Sequence, residues 1–166
     1  MTTYTSTLDT EAGPFTIIVD GDGSVLASGW TAGADALLPL IRLNLRQDPL
    51  ARTDLGPATR AAQAYHRGDL AAPDTVPVRQ NTGGVFLAAA WKTLRDVQPG
   101  HPVSYTELAA RTGNPAAVRA AAQACARNAT ALFVPCHRVI RTDGSLGGFR
   151  WGLDVKRWLL AHEVTG

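Results

Sequence analysis

An apolar run, Ala131-Leu132-Phe133-Val134, halts at Pro135, and a cysteine and a histidine stand directly behind it. Proline has no backbone N–H and fixes its own φ, so a strand through 131–134 has to stop there. A strand that stops at a proline presents the next side chains at its rim, which places the Cys136 thiol at an edge rather than deep in a core. A cysteine nucleophile reacts as thiolate, and a neighbouring imidazole that takes the proton is the usual means of making one. The pattern predicts an apolar strand that ends at an accessible Cys136-His137 pair.

The chain has 166 residues, room for one domain or two small lobes around a buried core. With 45% hydrophobic and 18% charged residues it reads as an ordinary soluble globular protein. No run of about 18 apolar residues appears, and the polar start Met1-Thr2-Thr3-Tyr4 is no signal peptide, so a cytoplasmic location is expected. Only two cysteines are present, Cys125 in an alanine-rich helical pattern and Cys136 behind the strand, which favours a reducing compartment over a disulfide scaffold. With His66, His101 and His162 scattered, no zinc spacing is formed and no metal is expected. Net charge is +2, but residues 1–75 carry −4 and residues 76–166 carry +6. That asymmetry fits a C-terminal half facing a polyanion, and fits equally a solvated basic face.

Two lobes are expected: an α/β lobe over 1–78, a connector over 79–84 and a second domain over 85–166. In the first, Phe15–Asp20 and Val25–Trp30 flank Gly21-Asp22-Gly23-Ser24 as a hairpin, with a third strand over Tyr4–Leu8 ended by Gly13-Pro14. Helices are expected near Ala34–Arg46 and Pro57–Arg67. In the second, Phe86, Ala90, Leu94 and Val97 recur at helical spacing up to Gln98-Pro99-Gly100. Ser104-Tyr105-Thr106-Glu107 is a capping box, with the glutamate reaching back to the cap's amide, and that helix ends near Gly113. Asn114-Pro115 then opens another helix, giving a helix-turn-helix pattern. The second helix is slim, with alanine at 116, 117, 120, 121, 122, 124 and 126 and Arg119 projecting among them. Asp143-Gly144 marks a further turn, Gly147 to Gly152 a loop, and Asp154–Glu163 the closing helix.

In this order, Val103-Ser104-Tyr105, Gly113-Asn114-Pro115, Asn128, Pro135-Cys136-His137-Arg138-Val139 and Leu159-Leu160-Ala161-His162-Glu163 closely resemble the O6-alkylguanine-DNA alkyltransferases, single-use repair proteins for methylated DNA. The likeness is dense over 85–166 and looser over 1–84. It implies an α+β fold: a small N-terminal ribonuclease-H-like lobe with an antiparallel sheet, and a mainly helical C-terminal lobe with a winged-helix-like helix-turn-helix.

The resemblance also implies roles. Cys136 attacks the alkyl carbon on guanine O6 and keeps the group as a thioether. His137 takes the thiol proton through a water, Glu163 orients the histidine, and Asn128 braces the turn and joins the same network. The pocket is expected from Tyr105, a donor to the leaving guanine, with Val139, Phe149 and Arg150; carbonyls around Cys136 and Val139 meet the guanine amino group. The target atom lies inside a duplex, so the nucleotide has to be flipped out. Arg119 fills the vacated stack, with Ala120, Gln123, Ser104 and Arg127 also at the DNA. The slim helix suits a minor groove about 6 Å wide. The partner is double-stranded DNA containing O6-alkylguanine, mainly O6-methylguanine and also O4-methylthymine. The protein is expected to act as a monomer, without cofactor and away from membranes.

Some positions depart from the family pattern. Phe149 stands where a tyrosine is frequent, Leu87 where a glutamine is frequent, and Trp151 where some relatives have glycine, which narrows the pocket toward methyl adducts. No cysteine occurs in residues 1–84, so the N-terminal zinc sites of some relatives have no counterpart. Three other readings stay open on the residues alone. One is an alkyltransferase-like lesion binder without chemistry, against which Cys136 argues. Another is a helix-turn-helix regulator, which lacks base-reading side chains beyond Arg119 and Gln123. The third is a thiol hydrolase, which would turn over repeatedly.

Overall fold

In a computed structural model of the chain, residues 1–80 and 84–165 are described. Of the connector read over 79–84, residues 81–83 lie outside them. The described chain divides into two compact units. One holds residues 1–80 together with 129–133, the other residues 84–128 and 134–165.

The first unit is built on a four-stranded sheet in the order β3-β2-β1-β4. β1 (Tyr4–Thr10) and β2 (Gly13–Val19) pair antiparallel from Tyr4↔Val19 to Thr10↔Gly13. Gly13 and Pro14 thus open the second strand rather than close the first. Proline is tolerated there because the start of a strand can spare a ladder N–H. β3 (Val25–Gly29) pairs antiparallel with β2, as the hairpin reading expects. Asp20 Oδ1 fixes the hairpin turn by accepting from the N–H groups of Asp22 (2.9 Å) and Ser24 (3.0 Å). The short β4 (Leu50–Ala51), absent from the sequence reading, adds parallel to β1.

Where one helix was expected over Ala34–Arg46, three separate 3₁₀ turns form, at Ala34–Ala36, Leu38–Leu40 and Leu43–Leu45. Pro39 supplies no N–H and crowds the preceding turn, so no continuous ladder can pass it. α1 (Pro57–His66) starts with proline in its first turn, as anticipated. Its Tyr65 and His66 are buried, and Phe15 lies 4.8 Å from Trp30, 5.9 Å from His66 and 6.4 Å from Phe133, ring to ring.

Phe133 belongs to this unit because 129–133 are held there backbone to backbone. Ser28 N–H donates to Ala129 O at 2.9 Å, the Ser28 hydroxyl to Ala131 O at 2.8 Å, and Ala129 N–H to the Gln80 side chain at 2.8 Å. The run 131–134 is therefore a buried turn and not a strand. Leu132 sits at φ 76°, a left-handed conformation that costs a non-glycine residue roughly 1–2 kcal/mol.

The second unit contains α2 (Val85–Leu94), β5 (Val103–Ser104), α3 (Tyr105–Thr112), α4 (Val118–Ala126), β6 (Val139–Ile140) and α5 (Leu153–Thr165). β5 and β6 pair in parallel. The Ser104 hydroxyl accepts from Glu107 N–H at 3.0 Å, so the cap forms. The Glu107 carboxylate itself lies 3.3 Å from Arg111, one turn on. α3 ends on Gly113 at φ 109°. α4 begins later than Asn114-Pro115 implied. The Asn114 side chain takes the Ala116 N–H at 3.2 Å and its carbonyl the Ala117 N–H at 3.0 Å, closing a turn before the helix. The buried face of α4 is Ala121 and Ala124, and Trp91 of α2 donates its indole N–H to Ala124 O at 2.8 Å.

Candidate active site

Pro135 has φ −83° and ψ 66°, and Cys136 N–H reaches back to Val134 O at 2.9 Å, a three-residue reversal. A 3₁₀ turn follows over Cys136–Arg138. The buried Asn128 side chain donates to Val134 O at 2.7 Å, bracing the reversal from the end of α4. Cys136 is only 8% exposed, so the thiol does not sit at an open rim. It reaches the outside through a cavity of about 450 Å³ instead.

Tyr105, Asn128, Cys136, Phe149 and Arg150 all line that cavity. So do Ala122, Cys125 and Ala126 from α4, and Gly148 and Trp151 from the glycine loop. Val139 does not line it. That residue is buried, and its carbonyl accepts from Lys156 Nζ at 2.8 Å. Lys156 also donates to the carbonyls of Leu146 and Gly148 (3.3 Å to the latter), pinning the glycine loop to α5. Arg150 donates to Ala126 O at 2.6 Å, tying the same loop to the end of α4.

Arg119, Gln123 and Arg127 are exposed and spaced four residues apart, a stripe along α4. Ala120 is half-buried beside it, and Ser104 is occupied as the cap of α3. One α4 face is thus packed, one lines the cavity and one faces solvent.

Behind Cys136, His137 is fully buried and its Nε2 lies 2.7 Å from Glu163 Oε2. Glu163 also accepts from Arg138, Nε to Oε1 at 3.0 Å and Nη2 to Oε2 at 3.0 Å, while Arg138 Nη1 donates to Val97 O at 2.8 Å. Burial would raise the Glu163 carboxyl, but His137 and Arg138 reverse this and hold it well below the usual carboxylate range. Burial lowers His137 below its ordinary value against the pull of Glu163, and Arg138 and Lys156 add to the lowering. The resting cluster is therefore carboxylate, guanidinium and neutral imidazole. A carboxylate can only accept, so the ring proton is on Nε2 and the lone pair on Nδ1. Nδ1 is buried with no hydrogen-bond partner among the described residues.

Burial likewise pushes the Cys136 thiol up, against a hydrogen bond from Asn128 and the charges of Lys156 and Arg150. Burial and the neighbouring thiols push Tyr105 up to about 12, so its hydroxyl keeps its proton through the physiological range. Among the described residues no group of three or more His, Cys, Asp or Glu could hold a metal ion.

The sequence reading passed over Arg138 and Lys156. Arg138 stands inside the motif that drew attention to Cys136. Lys156, Leu159 and Glu163 fall at i, i+3 and i+7, so helical spacing alone places that lysine on the buried face of α5.

The profile of the family described as "6-O-methylguanine DNA methyltransferase, DNA binding domain" matches residues 85–165. The methylated-DNA–protein-cysteine methyltransferase of Shigella flexneri is 34% identical over 158 residues, covering 93% of this chain and 91% of that protein. The crystal structure of Mycobacterium tuberculosis O6-methylguanine methyltransferase superposes with a TM-score of 0.78 at 28% identity, covering 98% of this chain and 93% of that one. A structure of Mycobacterium tuberculosis OGT in complex with DNA gives 0.77 at 30% identity, with the same coverage. The matched relatives are alike over nearly their whole length, and the cysteine, histidine, asparagine and glutamate of the sequence pattern meet in one buried cluster beside a cavity. This chain belongs to the methylated-DNA–protein-cysteine methyltransferase family.

Proposed function

We propose that this protein repairs O6-alkylguanine in duplex DNA, chiefly O6-methylguanine and also O4-methylthymine, by moving the alkyl group irreversibly onto Cys136. The observation that carries the reading is a thiol on the wall of a cavity, backed by a buried imidazole whose free lone pair is on Nδ1. A water joins Nδ1 to the thiol, satisfying a buried ring nitrogen that no side chain reaches. His137 takes the thiol proton as sulfur attacks the alkyl carbon. The carbon–O6 bond breaks, its electron pair stays with guanine, and guanine receives a proton in exchange for the alkyl group. Tyr105, protonated on the cavity wall, donates to the departing base. A raised thiol pKa fits a nucleophile that is deprotonated only as it reacts. The product is a thioether with no easy exit, so each chain acts once.

α3 and α4 serve as the helix-turn-helix, with the Arg119–Gln123–Arg127 stripe against the minor groove and Arg119 in the stack that the flipped nucleotide leaves. Alanine at 120, 121, 122, 124 and 126 keeps that helix slim. The sheet of the first unit, antiparallel but for β4, serves as the ribonuclease-H-like N-terminal lobe that the family resemblance implies. The protein acts as a monomer in the cytoplasm, and among the described residues no helix is long and apolar enough to cross a membrane.

The test is to mix the protein with duplex DNA carrying one O6-methylguanine and take intact and peptide masses. One methyl group gained per chain, on the peptide holding Cys136, is the expected result. Tight, lesion-selective binding without mass change would replace this reading with a lesion sensor.

A further inference from the structure

We propose that Arg138 is a positioning residue for the transfer: by clamping Glu163 at two points it keeps His137 a neutral base whose lone pair lies on Nδ1. The proposal rests on the transfer reading above. Its basis is the order of contacts around one carboxylate. Oε2 receives both His137 Nε2 (2.7 Å) and Arg138 Nη2 (3.0 Å), and Oε1 receives Arg138 Nε (3.0 Å). The third guanidinium contact, Nη1 to Val97 O at 2.8 Å, anchors the arginine from the opposite side. All three side chains are buried, at 0% exposure for His137, 3% for Arg138 and 4% for Glu163.

A buried carboxylate facing an imidazole alone would draw a second proton onto the ring, because an unpaired buried anion is far costlier than an ion pair. Arg138 supplies that counter-charge permanently, since a guanidinium does not titrate in proteins. A charged His137 would then leave the cluster with a net buried positive charge. The charged groups acting on the imidazole are Glu163 and Lys156 from α5, and Arg138 from its own turn. Lys156 is a second cation and works in the same direction. The turn after α2 contributes the neutral Val97 carbonyl, which holds Arg138.

The consequence for the reaction is a ring that stays open to a proton at Nδ1 and does not hold it. The S–H bond breaks and its proton goes to Nδ1. The sulfur electron pair forms the S–C bond, the C–O6 pair leaves with guanine, and the proton passes on to guanine. His137 ends as it began, neutral with its proton on Nε2.

Full-length protein labelled with ¹⁵N-histidine would be titrated by NMR as the native chain, Arg138→Gln and Arg138→Lys, alongside single-turnover methyl transfer from O6-methylguanine DNA across pH. The native ring is expected to be neutral near pH 7 with the proton on Nε2. Arg138→Gln keeps hydrogen-bond donors but loses the charge. Its His137 should titrate higher, and the acid limb of the rate profile should move up by about one pH unit or more, about a tenfold loss on that limb that recovers in alkali. Arg138→Lys should return both towards native. An imidazolium in the native protein near pH 7 would overturn the proposal without any variant. So would an Arg138→Gln rate lowered equally at every pH with the His137 titration unmoved. If Arg138→Gln does not fold, the native ring state and the lysine variant still decide. Failure of the transfer reading would show separately, as absence of methyl transfer by the native chain.

Discussion

Under the proposed mechanism the nucleophile and its base are separate residues, Cys136 and His137, and each can be removed by itself. Cys136→Ser keeps the shape of the turn but lacks a thiol, so methyl transfer should be lost while binding to lesion DNA survives, as a mobility-shift assay would read. Retained transfer would sink the assignment. The buried pair behind it carries a pH signature. Glu163 has a folded pKa far below the ordinary 4.5, so its stabilisation is in place above that value and drains away as pH falls beneath it. His137 is held below 6.5, so on acidification the unfolded chain takes up a proton that the folded chain refuses, and stability falls below that pH too. Urea midpoints should therefore be steady near neutrality and decline below pH 6.5, then more steeply below 4.5. A His137→Asn variant should lose most of the first decline. An unchanged slope would place that dependence on another group.

Among the connecting elements, two glycines with positive φ make opposite demands. Gly113, the left-handed end of α3 at φ 109°, has open space where a Cβ would stand. Gly113→Ala should therefore cost only the backbone, about 1–2 kcal/mol in a denaturation experiment, and leave the transfer rate of folded protein near native. Gly147, at φ 72°, would place a Cβ 2.8 Å from the Tyr105 hydroxyl oxygen. Gly147→Ala should push that tyrosine aside and slow transfer by more than its stability loss explains. On α4, Arg119→Ala should weaken repair in duplex DNA far more than reaction with the free modified base, and equal losses would refute its place in the stack. The elements themselves were unevenly legible. The sheet hairpin was readable because Asp20 and the glycines after it make a turn by local chemistry. The 131–134 run is apolar like a strand, while the hydrogen bonds that hold it as a turn come from Ser28, distant in sequence, and from the Asn128 side chain.

For the molecule as a whole, the contrast of −4 over residues 1–75 with +6 over 76–166 makes a salt-dependent partner the natural one. Affinity for undamaged duplex should fall linearly on a log–log plot against salt, and Arg127→Ala should lower the slope by about 0.9 if that side chain meets a phosphate. An unchanged slope would remove Arg127 from the interface. The pairing of His137 with Glu163 beside Cys136 could be read from the sequence, because motif and spacing name these residues. The arginine clamp could not, since charged residues are usually solvated and only the fold reveals that Arg138 is enclosed, whereas the buried lysine was legible in the spacing of α5 and was passed over. Cys125 shows the same limit from the other side. It reads as helix packing, yet it shares the cavity wall with Cys136.

The excursion of residues 129–133 into the first unit bears on how such a chain can be inherited or divided. A gene fragment beginning near residue 84 would encode the cavity wall together with His137, Arg138 and Glu163. It would also carry Ala129, Thr130 and Ala131 with their hydrogen-bonding partners left behind, just upstream of Cys136. The linker is thus a poor place to cut: trading the N-terminal part for an unrelated one would require the newcomer to offer the equivalents of Ser28 and Gln80.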